Sequence, residues 1–417
     1  MKRDISRRSF MKTIGIAMLA VGSSPIAVLT RIPRANASNP AWTPQQISSK
    51  FGQELVCHAT ELLAHPVDAD HTKGIKLACE AFGQKYMVLE NKYQGAKAIA
   101  DVEDAIARGA RMIPALPVDA ATSAAVAKAC ERAKVFTAFV FVSPAWFTPL
   151  DVGNHFVMFL SPDLEQQGYE MTKYLFEKIG KKGNVVNIEG IEGSSSSLSI
   201  RAGIDRALRS YPEVKLLNRQ PGNWDPVVSQ KVMADFLTAY PKIDGAVGQD
   251  DGIALGIHAA CREAGRKIPI VGLNGTKEAA LLIRDSFFLA SHAGFSAWQG
   301  GFMVARLFDA LHGFKPAVPE RMMFNYGMLV TRENVDKYLG TFYGSSPLPY
   351  DWTKMSRVLH PNDWDPQNGL IPVRPIEYFS RLGIPMPANY ILPKQYEKAD
   401  FEGVKKLYDS HWKKRIF

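Results

Sequence analysis

The sequence is short of the groups on which most redox and metal chemistry depends. Its four cysteines, Cys57, Cys79, Cys130 and Cys261, are scattered through 417 residues. No C-x-x-C pair and no metal-ligand spacing occurs among them, which excludes an attached haem, an iron–sulfur cluster and a zinc ribbon. They read as buried thiols, with one disulfide open to them in an oxidising compartment. G-x-G-x-x-G, G-x-x-x-x-G-K-[ST] and G-x-S-x-G are all missing, and with them the usual dinucleotide site, phosphate loop and nucleophile elbow. Beyond residue 37 no apolar run approaches the ~20 residues of a membrane span.

The strong positive charge is also largely absent from the body of the chain. The formal net charge is +9, but residues 1–37 carry seven of the 50 Lys+Arg and one of the 41 Asp+Glu, which leaves +3 for the rest. That is no nucleic-acid signature. Residues 1–37 read as a leader: Ser6-Arg7-Arg8-Ser9-Phe10-Met11-Lys12 has the twin-arginine export pattern, an interrupted apolar stretch follows, and Ala35-Asn36-Ala37 offers a cleavage site. The expected location is therefore the periplasm. The remaining residues, about 380, suit two domains of ordinary size.

What the sequence does have is alternation. "ELVCHATELL", "YMVLE", "ARMIPALPV" and "VFTAFVFVS" are short apolar runs separated by segments of helical spacing such as "AKAIADVEDAIARG". A second series follows, "GNVVNIEG", "VKLLNRQ", "IDGAVGQD" and "IPIVGLN", again with helices between. The fold class this predicts is α/β, with two doubly wound parallel-sheet lobes and a cleft at the carboxyl ends of their strands, where open sheets of this kind bind ligands. "GIEGSSSSLSIRAG" lies at such a strand end. With no phosphate-loop lysine and no nucleophile elbow, its serines are expected to cap the next helix.

In this order and spacing, "IEGSSSSLSIRAGIDRAL", "QPGNWDP", "FLTAYPKIDGAVGQDDGIALGIHAACREAG" and "IPIVGLNGTKEA" resemble the periplasmic sugar-binding proteins of the ribose-binding type, over about residues 54–339. The resemblance implies a type I periplasmic binding protein clamshell whose chain crosses the hinge more than once. It places the N-terminal lobe at 49–158 and 296–325, the C-terminal lobe at 159–295 and 326–340, and a C-terminal extension at 341–417. It also implies a monomer that is not an enzyme and has no cofactor, takes up a sugar or polyol between its lobes and delivers it to an ABC permease in the inner membrane. The rival readings are a sensory receptor for a non-sugar hydroxylated ring compound and an exported enzyme.

The same resemblance nominates binding residues. Arg201 would hold polar groups from the second lobe with its fork of donors, and Trp224 would stack on a ring. Asp250 stands where the family commonly has an amide, and Asn274 where it usually has an aspartate. Phe141 and Trp146, with Phe147, replace a polar pair of many relatives, so the pocket should be less densely charged. In "HPVDADH", read as a loop at the end of the first strand, His65 and Asp70 are candidates for solute contact. With Glu61, His58, Asp68 and His71 nearby the loop is rich in potential metal ligands, but H-x-x-D-x-D-H is no established spacing and no metal is expected. His292, in "LASHAGF", is a further candidate. Each has a plain alternative as a core, capping or surface residue. From residue 340 on the resemblance stops: a proline- and aromatic-rich tail is expected to pack over the lobes, closed by the helix "FEGVKKLYDSHWKKRIF".

Overall fold

The computed structural model describes residues 42–416, so the leader at 1–37 lies outside the described residues. Five strands build a first sheet: β1 (Leu55–Thr60), β2 (Lys85–Glu90), β3 (Ala110–Ala115), β4 (Phe136–Val140) and β5 (Phe156–Pro162). Five more, β6 (Gly183–Glu189), β7 (Val214–Pro221), β8 (Gly245–Gly248), β9 (Ile270–Asn274) and β10 (Ala290–Ala293), build a second. β11 (Met322–Asn325) then returns to the first sheet, β12 (Met328–Thr331) to the second, and β13 (Leu370–Pro372) to the first. The strand orders are β13-β11-β5-β4-β3-β1-β2 and β12-β10-β9-β8-β6-β7. Pairing is parallel except for β13 against β11 and β12 against β10, the last partner at one edge of each sheet. These are the two doubly wound lobes that the alternation predicts.

β5 is absent from the run of strands legible in the sequence. All seven of its residues are buried, as expected of a parallel strand covered on both faces, and such a strand shows no alternation of polar and apolar residues. It carries the first sheet to Pro162, four residues beyond the expected lobe boundary. The chain passes between lobes after β5, after β10 and after β11, and a fourth time after helix Val335–Phe342, where Leu348 and Tyr350 pack against the cores of both lobes.

"HPVDADH" is not a loop. Helix Pro66–Ala81 begins inside it, with His65 as N-cap and Pro66 in the first position, where a missing N–H costs nothing. This helix lies against helix Ser296–Leu311 so closely that a Cβ on Gly74 would come within 1.8 Å of the Ala297 carbonyl oxygen. The extension packs chiefly on the first lobe. β13 adds a strand to its edge, Trp298 Nε1 donates to the Pro366 carbonyl at 2.8 Å, and buried Asp309 accepts from the Arg357 and Val358 amides at 2.9 and 3.1 Å. All four cysteines are free and buried. Among the described residues no helix is long and apolar enough to cross a membrane.

Candidate functional site

A partly open cavity lies between the lobes. The topology makes it, because in each sheet the order reverses beside β1 or β6 and neighbouring crossovers leave a crevice at the carboxyl ends. Glu61 and His65 follow β1, Tyr93 follows β2, Leu116 follows β3 and Phe141 follows β4; from the other lobe come Ser194 and Ser196 after β6, Trp224 after β7, Asp250 after β8 and Asn274 at the end of β9.

Four of these residues adopt left-handed backbone: Tyr93 (φ 58°), Phe141 (φ 63°), Trp224 (φ 60°) and Asn274 (φ 108°). For residues with a side chain this region is costly, on the order of 1–2 kcal/mol each, and such strain gathers at ligand clamps. Trp224 lies across Gly190, whose missing side chain leaves its place: a Cβ there would sit 1.9 Å from Cζ2 of the indole.

The lobes touch directly around the cavity. His65 Nε2 meets Asp250 Oδ2 at 3.1 Å, while His65 Nδ1 lies 3.6 Å from Asp68. Burial by itself would lower the imidazole, but Asp250 and then Asp68 override it and hold the value up to about 10, so His65 is a cation between two carboxylates. Asp250 Oδ1 accepts from the Ile253 amide at 2.7 Å and caps its helix. Its neighbour Asp251 is not the cap. That side chain is fully buried, accepts from the Thr276 amide and Ser291 hydroxyl at 2.7 and 2.6 Å, and is raised to about 7 by burial. The serine loop does more than cap. Ser194 accepts from the Ser197 amide, Ser196 Oγ donates to the Phe141 carbonyl at 3.2 Å, and Ser195 Oγ accepts from the Ser143 amide at 3.3 Å. The last two bonds join the lobes, so the described conformation is closed.

Of the residues nominated from sequence, His65, Phe141, Trp224, Asp250 and Asn274 line the cavity together. Four do not, each for a definite reason. Arg201 forms a two-pronged ion pair with buried Glu189, with Nε to Oε1 at 2.9 Å, and its helical neighbour Ile200 faces the cavity instead. One residue along a helix is a 100° turn. Trp146 is taken by the extension: its Nε1 donates to the Ile384 carbonyl at 3.0 Å and its ring packs on Phe379 and Tyr390. His292 meets Glu170 at 2.8 Å. Asp70 accepts from the Tyr343 hydroxyl at 2.6 Å in a side compartment that shares only Asn274 with the main cavity. His58 and His71 lie ring to ring in the core, both lowered first by burial, and among the described residues no group of three or more His, Cys, Asp or Glu is arranged to hold a metal.

The structure adds Glu61, Asp68, Tyr93 and Gln249 to the lining. Gln249 is fully engaged: its carbonyl oxygen accepts from the Gly190 amide and the Ser197 hydroxyl, and its amide donates to Glu189. Asp68 accepts from the Leu62 amide at 2.7 Å and from Thr60 Oγ1 at 3.3 Å. By contrast, the Glu61 carboxyl, the Tyr93 hydroxyl and the Asn274 amide have no hydrogen bond or ion pair among the described residues. Glu61 is buried and Tyr93 and Asn274 are half-buried, and none of their polar atoms is among the fully enclosed ones that lack a partner. The site thus sorts into polar groups that hold the lobes together and polar groups still open to a ligand.

Comparison with known proteins agrees with this architecture. Residues 64–314 match the family model described as a periplasmic binding protein domain. The xylitol-binding protein of Mycolicibacterium smegmatis is 32% identical over 152 residues, a match covering 36% of this chain and 42% of that relative. The ribose import binding protein of Escherichia coli strain K12 is 25% identical over 247 residues, covering 59% of this chain and 81% of the relative. The crystal structure of a twin-arginine translocation pathway signal protein from Burkholderia phytofirmans superposes with a TM-score of 0.67 at 26% identity, covering 71% of this chain and 95% of that one. With its two doubly wound lobes, interlobe cavity and matched central segment, the chain belongs to the periplasmic binding protein family.

Proposed function

We propose that the protein is a solute receptor of the periplasm that closes on one small sugar or polyol and presents it to an ABC permease. The observation that carries this reading is the pairing of a stacking surface, Trp224 over Gly190, with three unpartnered polar side chains, Glu61, Tyr93 and Asn274, in one cavity contributed by both lobes. An aromatic face buries the CH side of a ring or carbon chain, and the polar groups exchange hydrogen bonds with its hydroxyls. A solute touching both lobes stabilises closure, which is the population shift a permease can read. The relatives' named solutes, xylitol and ribose, support a small polyhydroxy compound. Arg201, Trp146, His292 and Asp70 are left outside the contact set, and His65 with Asp250 frames it.

Calorimetry against pentoses, hexoses, pentitols and inositols tests the reading. One member is expected to bind with micromolar or tighter affinity, roughly −8 kcal/mol or better, and to raise the unfolding temperature. Binding of an amino acid or peptide with no response to any polyol would overturn it.

A further inference from the structure

Glu61 has features that the general reading does not need. It follows β1 directly, is 8% exposed, borders the cavity, and its carboxyl has no partner among the described residues. The other two carboxylates of the lining do have partners, Asp68 through Leu62 and Thr60, Asp250 through Ile253 and His65. Among the described residues no lysine or arginine lines the cavity, and His65, the cation that does, is already held between Asp68 and Asp250. The arginine nearest in sequence, Arg201, is turned away onto Glu189, with Ile200 in its place on the cavity face.

We propose that Glu61 selects the charge of the solute: it accepts hydroxyl hydrogens from an uncharged polyol and excludes anions such as aldonates, uronates and phosphorylated sugars. The inference rests on the polyol reading above. A hydroxyl supplies the donor that Glu61 lacks, at no cost in charge. A carboxylate or phosphate in the same place would be desolvated beside three carboxyl groups with no free cation to receive it, which is unfavourable wherever the local dielectric is low. Burial, then Asp68, pushes the Glu61 carboxyl well above the ordinary range, with His65 opposing and Asp119 adding. Protonated, the group donates one hydrogen bond; ionised, it only accepts. In neither form does it bring positive charge to an anion. Discrimination of this kind is built as much from repulsion of the wrong solute as from attraction of the right one.

The test is calorimetry on matched pairs that share a carbon skeleton, xylose with xylonate and ribose with ribonate, against the wild type, Glu61→Gln and Glu61→Asp. Because the Glu61 carboxyl has no protein partner to lose, Glu61→Gln should fold normally, which its thermal unfolding checks. The wild type is expected to favour the neutral member by about 100-fold or more, Glu61→Gln to narrow that ratio by about tenfold, and Glu61→Asp to weaken the neutral member while keeping anions excluded. If neutral members bind but the ratio is unchanged in Glu61→Gln, the assignment of Glu61 is overturned and the polyol reading stands. If the anionic member of a pair binds the wild type as tightly as the neutral one, this inference is overturned, and if no member of the wider polyol panel binds, the polyol reading falls and this inference with it.

Discussion

The two lobes bring unequal chemistry to one cavity. The second lobe contributes groups whose positions are fixed before any solute arrives: Asp250 caps its helix, Gln249 is bonded on every side, and Trp224 is seated over Gly190. The first lobe contributes Glu61 and Tyr93, which have no partners, together with the His65 cation that reaches across to Asp250. The difference teaches that a clamp can divide its work. One face offers a rigid floor and a stacking plate, while the other carries most of the polar groups that tell one solute from another. Preorganisation of the floor reduces the ordering cost of binding, and open polar groups opposite supply selectivity.

The largest expected effect comes from cutting the bridge between the two faces. His65→Ala leaves Asp250 and Asp68 buried without their shared cation, and should lower thermal stability by about 3–5 kcal/mol, the usual cost of removing one partner of a buried pair. Small-angle scattering should show a more open molecule in the same variant. If stability and shape both stay unchanged, the bridge is incidental to closure. The next effect is on the floor. Trp224→Ala should weaken solute binding by about 1–3 kcal/mol through lost apolar contact, and Gly190→Ala, which forces the indole to move, should lower affinity in the same sense by a smaller amount. Equal affinity in both variants would remove the stacking role.

Titration sharpens the same comparison. The His65 imidazole is raised from 6.5 to about 10 in the closed form, so its contribution is complete below about 6.5, declines as pH rises, and is lost above about 10. Wild type and His65→Gln should therefore differ most in unfolding temperature near neutral pH and below, and converge at alkaline pH. A constant difference across that range would contradict the assigned charge. The smallest effect is expected at Arg201. Arg201→Ala should change solute affinity by no more than about 0.5 kcal/mol, as for a residue away from the site, and lower stability only modestly, since buried Glu189 loses one ion pair but keeps Arg219 at 3.3 Å. A large loss of affinity would restore Arg201 to the cavity.

Which of the nominated residues line the cavity has a physical basis. His65, Phe141, Trp224, Asp250 and Asn274, nominated by the family resemblance, all stand at or just beyond the end of a run that reads as a strand, and strand ends form the cleft. The place of Arg201 is not legible, because its helix follows a loop whose length leaves the phase open, and a one-residue difference exchanges Arg201 for Ile200. His292 and Asp70 find partners 122 and 273 residues away in sequence, Glu170 and Tyr343, and no local pattern announces such pairs. Trp146 is claimed by the extension, whose sequence offers no template. Tyr93 follows the readable strand "YMVLE" after two polar residues, Asn91 and Lys92, so the strand-end rule applied to every strand would have found it. Glu61 reads in the sequence only as one of several oxygen and nitrogen donors near a loop where no metal is expected, and its lack of any partner among the described residues is visible only in three dimensions.

The central claim is that groups without protein partners in the closed cavity are the ones that meet the solute. A crystal structure with the tightest-binding member of the polyol panel tests it most directly. The account predicts the solute between the lobes, its carbon face on Trp224 and its hydroxyls bonded to Glu61, Tyr93 and Asn274, with the His65–Asp250 contact intact. A solute bound outside this cavity, or one held by Arg201 with Glu61 still unpartnered, would contradict it.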